Sequence, residues 1–381
     1  MQILIDENIA YAQEAFSTAG NCTFANGRDF TNALVRDFDA LIIRSVTQIN
    51  RTLLHNTNIK FVGTATIGTD HIDLEYLKEA GIGFAHAPGC NSQSVAEYVF
   101  SAISNFVKSR NLEFKNLSIG IIGKGNIGSK VVRMSNAIGM NVMINDPPLQ
   151  RKTGNNNFVS LSEVLNADIV TLHVPLKIKG KDKTYHLIDE KELNRMKDNA
   201  MLINSSRGAV VNNNSLLRNL NAGKNFFTVL DVWENEPAIN KPLLKKVNFG
   251  TPHIAGYSLE GKVNGTKMIY DAFCNFFKLQ PSWQPQLPRV ENNEIVLTDT
   301  GTLESALFKI FRKVYNIEYD SLSLKKYSGL PENELSKKFD ELRKNYPLRR
   351  ELSNYIIRFP NGNKNLIEKL KNFGAPVKEI N

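Results

Sequence analysis

Short apolar runs alternate with amphipathic segments through the N-terminal part of the chain. A short apolar run between turn signals is typical of a buried strand, and apolar positions with a period of 3.6 residues are typical of a surface helix. Strands are predicted at residues 3–5, 40–45, 60–66 and 83–87, with helices between them, for example at 74–80. The alternation predicts a parallel α/β sheet over residues 1 to about 90.

The same alternation resumes after a long amphipathic helix predicted at residues 94–108. Further strands are predicted at residues 118–122, 141–145, 168–173, 200–204 and 226–231, and further helices at 161–165, 189–196, 214–221 and 258–277. The last of these helices is long enough to return to the first sheet. The pattern predicts a second parallel sheet covered by helices.

A proline-rich stretch at residues 281–288 interrupts the alternation and is interpreted as a linker. After it, mixed strand and helix patterns at 294–298, 304–314, 335–344, 355–359 and 366–372 predict an α+β domain. The expected fold is therefore α/β, with two Rossmann/flavodoxin-like parallel-sheet domains and a C-terminal α+β domain. The expected domains are residues 1–93 completed by 257–280, residues 94–256, and residues 286–381.

A glycine motif follows the predicted strand at 118–122. Gly123 permits a tight turn, Gly125 lets a pyrophosphate approach the backbone, and Gly128 lets the next helix pack close to the strand. Asn126 and Ile127 open that helix, so their N–H groups would face the phosphates. Such a motif alone is a weak signal, but here a strand precedes it and a helix follows. The context predicts a dinucleotide-binding βαβ unit.

Asp146 ends the second apolar run of this unit, about 20 residues after the glycines, where the fold places an acceptor for a ribose hydroxyl. A carboxylate at that point would repel the additional 2′-phosphate of NADP. The predicted cofactor is therefore NAD.

Composition excludes several other classes of protein. The net charge is +9, but basic and acidic residues are interleaved and no nucleic-acid-binding motif is present. Three scattered cysteines and widely spaced histidines predict neither a disulfide framework nor a metal site. We expect a cytoplasmic protein without a membrane segment, a metal or a nucleic-acid partner, because no signal sequence or spanning apolar run is recognisable.

Three polar residues follow successive strands of the predicted nucleotide domain. His253 suits a general base, because imidazole titrates near neutral pH. Glu236 could orient its ring, and Arg207 could bind a carboxylate in a bidentate manner. His71, His86 and His173 are the alternative bases. Together these residues predict oxidation of an alcohol beside a carboxylate.

The chain resembles the D-isomer specific 2-hydroxyacid dehydrogenases. The resemblance lies in Ser-Ser-Arg-Gly at 205–208, Asp-Val-Trp-Glu-Asn-Glu-Pro at 231–237 and Thr-Pro-His-Ile-Ala-Gly at 251–256. It implies that Arg207, Glu236 and His253 are catalytic. It also implies NAD contacts at Val174, Ser205, Ser206, Arg207, Asp231 and Gly256. Val174 departs from the family, which often has Thr there, so only a backbone contact is expected.

Further stretches at residues 6–8, 44–47, 63–71, 87–91, 256–262 and 342–346 resemble the members of this family that act on a small phosphorylated 2-hydroxy acid. The resemblance implies oxidation of 4-phospho-D-erythronate to (R)-3-hydroxy-2-oxo-4-phosphobutanoate in pyridoxal 5′-phosphate biosynthesis. It also implies a homodimer joined through the C-terminal domain. The alternative is another member of the family, such as a phosphoglycerate dehydrogenase.

Substrate contacts implied by the resemblance fall on Ser45, Thr66 and Tyr257. The substrate phosphate needs a cation of its own, because Arg207 is committed to the carboxylate. Arg44 is the first choice, since it stands at a predicted strand end beside Ser45. Arg349 and Arg350 of a dimer partner are the second choice.

Overall fold

The computed structural model describes residues 1–297, 301–359 and 363–379. The chain divides into two compact units. The first comprises Met1–Asn91 and Ser258–Arg289, and the second comprises Ser92–Tyr257 and Val290–Asn381. The C-terminal residues thus fall in the same compact unit as the glycine motif, while the division into three domains stays a prediction.

The first unit contains a five-stranded parallel sheet. Its strands are β1 Gln2–Asp6, β2 Asn21–Ala25, β3 Ala40–Ile43, β4 Phe61–Thr64 and β5 Gly83–His86, and its first helices are α1 Ala12–Phe16, α2 Asn32–Val35, α3 Arg51–Leu54 and α4 Leu74–Glu79. The strand order β2-β1-β3-β4-β5 is that of flavodoxin-like sheets. Strand β2 was not predicted, because this edge strand is only partly buried and lacks an apolar run.

The second unit contains a six-stranded parallel sheet. Its elements are α5 Ser92–Ser109, β6 Ser118–Ile122, α6 Asn126–Ala137, β7 Asn141–Asn145, α7 Pro147–Thr153, α8 Leu161–Leu165, β8 Ile169–Leu172, α9 Glu190–Arg195, β9 Met201–Asn204, α10 Asn213–Asn221, β10 Phe227–Leu230, α11 Lys241–Lys246 and β11 Phe249–Gly250. The strand order is β11-β10-β9-β8-β6-β7. The chain reverses its direction across the sheet between β6 and β8, and ligands of such sheets bind at that switch point.

Helix α7 was missed because it begins with two prolines. Pro147 is compatible with the first helical position, where its missing N–H would have no intrahelical partner. Asp146 precedes it and caps the helix. The boundary expected at Asp146 is therefore present, but a helix follows it at once.

Helix α12, Leu259–Phe276, belongs to the first unit and packs on its sheet. Its Phe273 is fully buried and meets the rings of Phe16 and Phe61 edge to face, with centroids 5.4 and 5.7 Å apart. The proline-rich stretch after the helix has no regular secondary structure but is anchored. Trp283 is buried against Tyr270, so the interpreted linker begins as part of the first unit.

The C-terminal residues add helices and a small sheet to the second unit. These elements are β12 Glu294–Val296, α13 Leu303–Val314, α14 Ile317–Lys325, α15 Glu332–Lys344, β13 Ile356–Phe359, α16 Lys364–Phe373 and β14 Val377–Glu379. The three strands are parallel, in the order β12-β13-β14. Residue 298 of the predicted strand lies outside the described residues.

The C-terminal elements share a hydrophobic core with helix α5 of the nucleotide-binding part. The ring of Phe373 meets that of Phe100 edge to face at 4.9 Å, and Phe311 and Phe106 belong to the same buried cluster. Burial of such large aromatic side chains is a major source of stability. The two parts of the second unit are therefore packed together. No helix in the described residues has the length and apolar character needed to span a bilayer.

Candidate active site

The glycine turn after β6 has the geometry that a dinucleotide requires. Gly123 has a φ of 94°, and a Cβ there would lie 2.6 Å from the carbonyl oxygen of His173. A Cβ on Gly128 would collide with the carbonyl oxygen of Gly123. By contrast, a Cβ on Gly125 would meet no atom within 4 Å. Two glycines are thus required by the chain itself, and the third faces open space.

Helix α6 starts directly at this open space. Gly125 is its N-cap and supplies no capping side chain, so the N–H groups of Asn126 and Ile127 are not capped by it. The N-terminus of a helix carries a partial positive charge and unpaired N–H donors. The turn and the helix together fit the pyrophosphate of a dinucleotide.

Asp146 lies at the end of β7 and holds two neighbouring segments. Its Oδ2 accepts a hydrogen bond from the Lys124 N–H at 2.8 Å, and its Oδ1 accepts one from the Leu149 N–H at 3.0 Å. A carboxylate has further lone pairs, so ribose hydroxyls remain possible donors. Sequence reasoning found the acid but missed its role in fixing the glycine turn.

The loop after β9 is organised by Asn204, which the sequence analysis did not single out. Its Oδ1 accepts hydrogen bonds from the N–H and the hydroxyl of Ser206, and its Nδ2 donates to the carbonyl of Arg207. The Arg207 side chain donates to the carbonyl of Ser206 at 2.8 Å. The Ser205 hydroxyl is buried and has no hydrogen-bond partner in the described part of the chain. A buried hydroxyl in that state fits a bound ligand.

Asp231 is buried at the end of β10 and anchors the loop that carries His253. Its carboxylate accepts hydrogen bonds from the Thr251 hydroxyl at 2.7 Å, the Ile254 N–H at 2.8 Å and the Ala255 N–H at 3.0 Å. Its carbonyl accepts one from the His253 N–H at 2.8 Å. His253 has a φ of 57°, a costly conformation for a residue with a Cβ. The bonds to Asp231 hold the loop in that conformation.

Glu236 and His253 form a hydrogen-bonded pair. The Nδ1 of His253 lies 2.7 Å from Oε2 of Glu236, whose Oε1 accepts a hydrogen bond from the Trp233 N–H at 2.7 Å. The His253 side chain is 37% exposed, so its Nε2 is left for proton transfer. Burial alone would raise the pKa of Glu236, but the charge and hydrogen bond of His253, the Trp233 N–H and Arg343 together lower it. The pair is therefore arranged as a base with an ionised orienting acid.

The three alternative histidines hold structural positions. Burial of the His173 ring lowers its pKa to about 3, and its Nε2 shares a hydrogen bond with the Thr171 hydroxyl. His71 is bonded to Thr64 and His86 to the carbonyl of Ile67.

One further histidine, His186, also meets a carboxylate, with 2.6 Å between its Nε2 and Oε1 of Glu234. Its Nδ1 lies 3.3 Å from the Asn212 amide, so both ring nitrogens are engaged. This second pair therefore lacks the free ring nitrogen that a base needs.

The predicted substrate residues are divided between the two units. In the first unit, Arg44 and Ser45 follow β3, and Thr66 follows the neighbouring strand β4, at the same edge of the sheet. The Arg44 Nε donates to Asp6 at 3.1 Å, and the Thr66 hydroxyl bonds to the Thr64 hydroxyl and to the Gly68 carbonyl. In the second unit, the predicted substrate residue Tyr257 follows β11, and the predicted cofactor residues Val174 and Gly256 follow β8 and β11.

The fold and the paired base define a nicotinamide-dependent dehydrogenase, and the comparisons with known proteins give its family. The family described as "D-isomer specific 2-hydroxyacid dehydrogenase, NAD binding domain" matches residues 93–255. A "Domain of unknown function (DUF3410)" matches residues 286–374. The erythronate-4-phosphate dehydrogenase of Cronobacter sakazakii is 44% identical over 94% of both chains. That of Bacteroides thetaiotaomicron is 46% identical over 94% of this chain and 99% of its own.

The protein belongs to the D-isomer specific 2-hydroxyacid dehydrogenase family. Among solved structures, the D-lactate dehydrogenase of Aquifex aeolicus complexed with NAD and lactic acid is similar, with a TM-score of 0.59 and 27% identity over 73% of this chain and 96% of that one. The NAD-bound 3-phosphoglycerate dehydrogenase of Entamoeba histolytica has the same fold, with a TM-score of 0.62 and 23% identity over 73% and 95%. The predicted fold class and the predicted cofactor, NAD, are confirmed.

The lowered pKa of Glu236 leads to a prediction about acid stability. A carboxyl group whose pKa is lowered by folding stabilises the folded chain at pH values above its ordinary pKa of 4.5. This stabilisation is lost as the pH falls below 4.5 and through the lowered pKa. The free energy of unfolding of wild type should exceed that of Glu236→Gln most at neutral pH, and the difference should shrink below 4.5. Urea unfolding from neutral pH down to about pH 3 measures it. A difference that is independent of pH would contradict the ionised pair.

Proposed function

We propose that the protein oxidises 4-phospho-D-erythronate with NAD to (R)-3-hydroxy-2-oxo-4-phosphobutanoate, a step in the biosynthesis of pyridoxal 5′-phosphate. The reaction type rests on the 2.7 Å pair of Glu236 and His253 in a nucleotide-binding unit. The substrate rests on relatives of that name that match nearly the whole chain. A glycine motif or a dehydrogenase fold alone does not identify the substrate, because both occur in enzymes with many different substrates. The choice of 4-phospho-D-erythronate is supported because the similarity to these relatives extends over nearly the whole chain.

In the proposed reaction, Arg207 binds the substrate carboxylate and so fixes the neighbouring alcohol carbon. His253 takes the proton of the hydroxyl through Nε2, and Glu236 stabilises the imidazolium that forms. NAD accepts the hydride from the same carbon. The carbon loses one hydride and its oxygen one proton, which leaves the 2-oxo acid.

The cofactor contacts are assigned to residues at the strand ends of the second unit. The proposed set comprises Gly123, Gly125, Asn126, Ile127, Gly128, Asp146, Val174, Ser205, Ser206, Arg207, Asp231 and Gly256. The open space at Gly125 and the unpartnered Ser205 hydroxyl support it. Val174 has no polar side-chain atom, so its contribution is limited to its backbone and to apolar contact.

Purified protein should reduce NAD when 4-phospho-D-erythronate is supplied, and an added 2-oxo acid should reoxidise the cofactor by the reverse reaction. The rate of NADH formation, followed by absorbance, measures this. The same assay with 3-phosphoglycerate separates the family alternative, because a phosphoglycerate dehydrogenase would prefer that acid. A higher kcat/KM for 3-phosphoglycerate would overturn the substrate assignment.

The matched control for this assay is His253→Asn. Asparagine tolerates the positive φ at this position but cannot act as the base. Turnover should fall by at least about a hundredfold, as expected for loss of a general base, while NADH binding is unchanged. Unchanged turnover would refute the assignment of His253.

We assign the substrate phosphate to Arg44. Its Nε is bonded to the buried Asp6, which fixes the direction of the side chain, and its two terminal nitrogens make no hydrogen bond to any described residue. Guanidinium groups bind phosphate through such paired N–H donors. Burial lowers the pKa of Lys262, and the positive charge of Arg44 lowers it further. Ser45 and Thr66 are assigned to the same substrate.

Arg44→Ala should raise the KM for 4-phospho-D-erythronate by about tenfold to a hundredfold, the value of one or two charge-assisted hydrogen bonds. The KM for NAD should stay the same. Arg51→Ala is the control, since Arg51 belongs to the same unit but is exposed and paired with Glu79. An unchanged KM for the acid in Arg44→Ala would show that another cation binds the phosphate.

We further propose a homodimer joined through the C-terminal part. Helix α14 exposes Tyr319 and Leu322, which are 64% and 61% exposed, and Leu348 is 68% exposed. Tyr319 and Leu322 are three residues apart and so lie on one face of α14, and exposed large apolar side chains on one face are typical of interfaces between subunits. Arg349 and Arg350, the second choice for the phosphate, are buried in their own chain.

Leu322→Asp should convert the dimer into monomers, because a charge would be buried in the proposed interface. Sedimentation equilibrium measures the mass of both proteins. Leu74→Asp, at an exposed apolar position of the first unit, is the control and should stay dimeric. A wild-type monomer would contradict the proposal.

We propose the cytoplasm as the location of the protein. Cys22, Cys90 and Cys274 are free thiols, which suits the reducing conditions there.

A further inference from the structure

The proposed catalytic residues come from loops of the second unit that lie against each other. Arg207 belongs to the loop after β9, and Glu236 belongs to the loop after β10. A Cβ on Gly208 would lie 1.9 Å from the carbonyl oxygen of Trp233 and 2.6 Å from the backbone nitrogen of Glu234. The distance between the carboxylate-binding arginine and the base pair therefore depends on how the loop after β10 is held.

Glu234 holds the loop after β10 through both of its carboxylate oxygens. Its Oε1 lies 2.6 Å from Nε2 of His186, and its Oε2 accepts a hydrogen bond from the Asn213 N–H at 2.7 Å. The Glu234 N–H in turn donates to the Asn213 side chain at 3.2 Å. Asn213 is the first residue of α10, so the carboxylate lies at the positive end of that helix. Glu234 thus fastens the loop to α10 and to His186.

The loop turns between Glu234 and Glu236. Asn235 separates them and has a φ of 61°, in the left-handed region that asparagine tolerates. On one side of this turn Glu234 binds towards α10, and on the other side Glu236 meets His253 at 2.7 Å. The two carboxylates are anchors of the same short loop, so release of the first frees the turn that directs the second.

His186 is itself held by the segment that follows Arg207. Its backbone N–H donates to the Ala209 carbonyl at 2.7 Å. Its φ is 51°, a costly conformation for a residue with a Cβ, so its position is set by the surrounding structure. The bond from His186 to Glu234 therefore joins the segment after Arg207 to the loop of Glu236.

The neighbours of His186 select one tautomer of its ring. Asn212 caps α10, because its Oδ1 accepts hydrogen bonds from the N–H groups of Asn214 and Ser215, each at 3.1 Å. The other end of this amide, Nδ2, can only donate, and it lies 3.3 Å from Nδ1 of His186. Nδ1 is therefore an acceptor, so the proton of the neutral ring is on Nε2 and points at Glu234.

We propose that His186 and Glu234 form a positioning pair, which sets the loop of Glu236 relative to Arg207 and keeps the base His253 aligned with the bound carboxylate. The inference rests on the proposed function, in which Arg207 and His253 act on the same substrate. Both ring nitrogens of His186 and both carboxylate oxygens of Glu234 are engaged, so the pair acts through the loop and transfers no proton. A misplacement of about 1 Å can lower a rate by about a hundredfold.

His186→Phe and His186→Gln separate two properties of the histidine. Phenylalanine keeps a ring, which in His186 stacks on Tyr185 with centroids 3.9 Å apart, but it has no donor for Glu234. Glutamine loses the ring but keeps a donor for Glu234 and an acceptor for Asn212. The kcat should fall by about tenfold to a hundredfold in His186→Phe and by less than about threefold in His186→Gln. Equal losses, or the reverse order, would overturn the proposal.

The kcat should fall without a change in KM. The proposed contacts with NAD and with the substrate lie outside the pair, so both KM values should stay within about twofold of wild type. Glu234→Gln should behave in the same way, because its amide places a donor where the carboxylate has an acceptor. In a double-mutant cycle, His186→Phe should lower kcat little further in the Glu234→Gln background. Multiplicative losses would contradict a joint action of the two residues.

Glu190→Gln is the matched control, because Glu190 binds the same helix through other residues. Its carboxylate accepts hydrogen bonds from the side chains of Arg218 and Asn219 in α10, each at 2.9 Å. The substitution removes the same charge from the surroundings of α10 and should leave kcat and both KM values unchanged. A loss of kcat equal to that of Glu234→Gln would assign the effect to the stability of the helix and overturn the proposal.

A spectroscopic measurement tests the pair without substrate. The proton between Nδ1 of His253 and Glu236 gives a nuclear magnetic resonance signal far downfield, because its 2.7 Å hydrogen bond is short. The signal is assigned by its absence in His253→Asn. It should move upfield or broaden in His186→Phe and Glu234→Gln, and return in His186→Gln. If wild type does not oxidise 4-phospho-D-erythronate, the proposed function fails, but this signal still tests the pair. An unchanged signal in His186→Phe would overturn the inference.

Discussion

The site depends on one buried carboxylate, that of Asp231. Burying a charge is expensive unless hydrogen bonds replace the lost water. Three donors, all from residues 251–255, meet this demand at 2.7–3.0 Å. The requirement runs in both directions: the carboxylate needs these donors, and the loop needs the carboxylate to keep His253 at a positive φ. The position of the base is therefore a consequence of charge burial at the end of β10.

Much of the architecture could be predicted from apolar periodicity. The central strands of both sheets are nearly continuous apolar runs, because parallel strands are buried on both faces. The edge strand β2 was not predicted, because its side chains are partly exposed and form no apolar run. Helix α7 was not predicted, because the prolines at its start suggest a turn. Helix α14 was missed because it buries only part of its surface and exposes Tyr319 and Leu322.

Only some of the residues of the candidate site could be selected from the sequence. Arg207, Glu236 and His253 could be selected because each follows a strand and carries a reactive group. The structure brings Glu236 and His253 into contact, whereas Arg207 bonds to the carbonyl of Ser206. Asn204 was not selected, because its importance arises from the groups that it meets in the loop after β9. Apolar periodicity does not encode such polar contacts.

The three glycines of the turn differ in what keeps a side chain away from each position. Side chains at Gly123 and Gly128 would collide with the chain itself, so any sequence that folds this way must avoid them. A methyl group at Gly125 would collide with nothing in the protein. Close packing within the fold therefore forbids a side chain at positions 123 and 128, but not at position 125. In the proposed site it is the pyrophosphate that needs this space, so a screen that rewards only soluble, stable protein would miss most of the cost of a side chain at position 125.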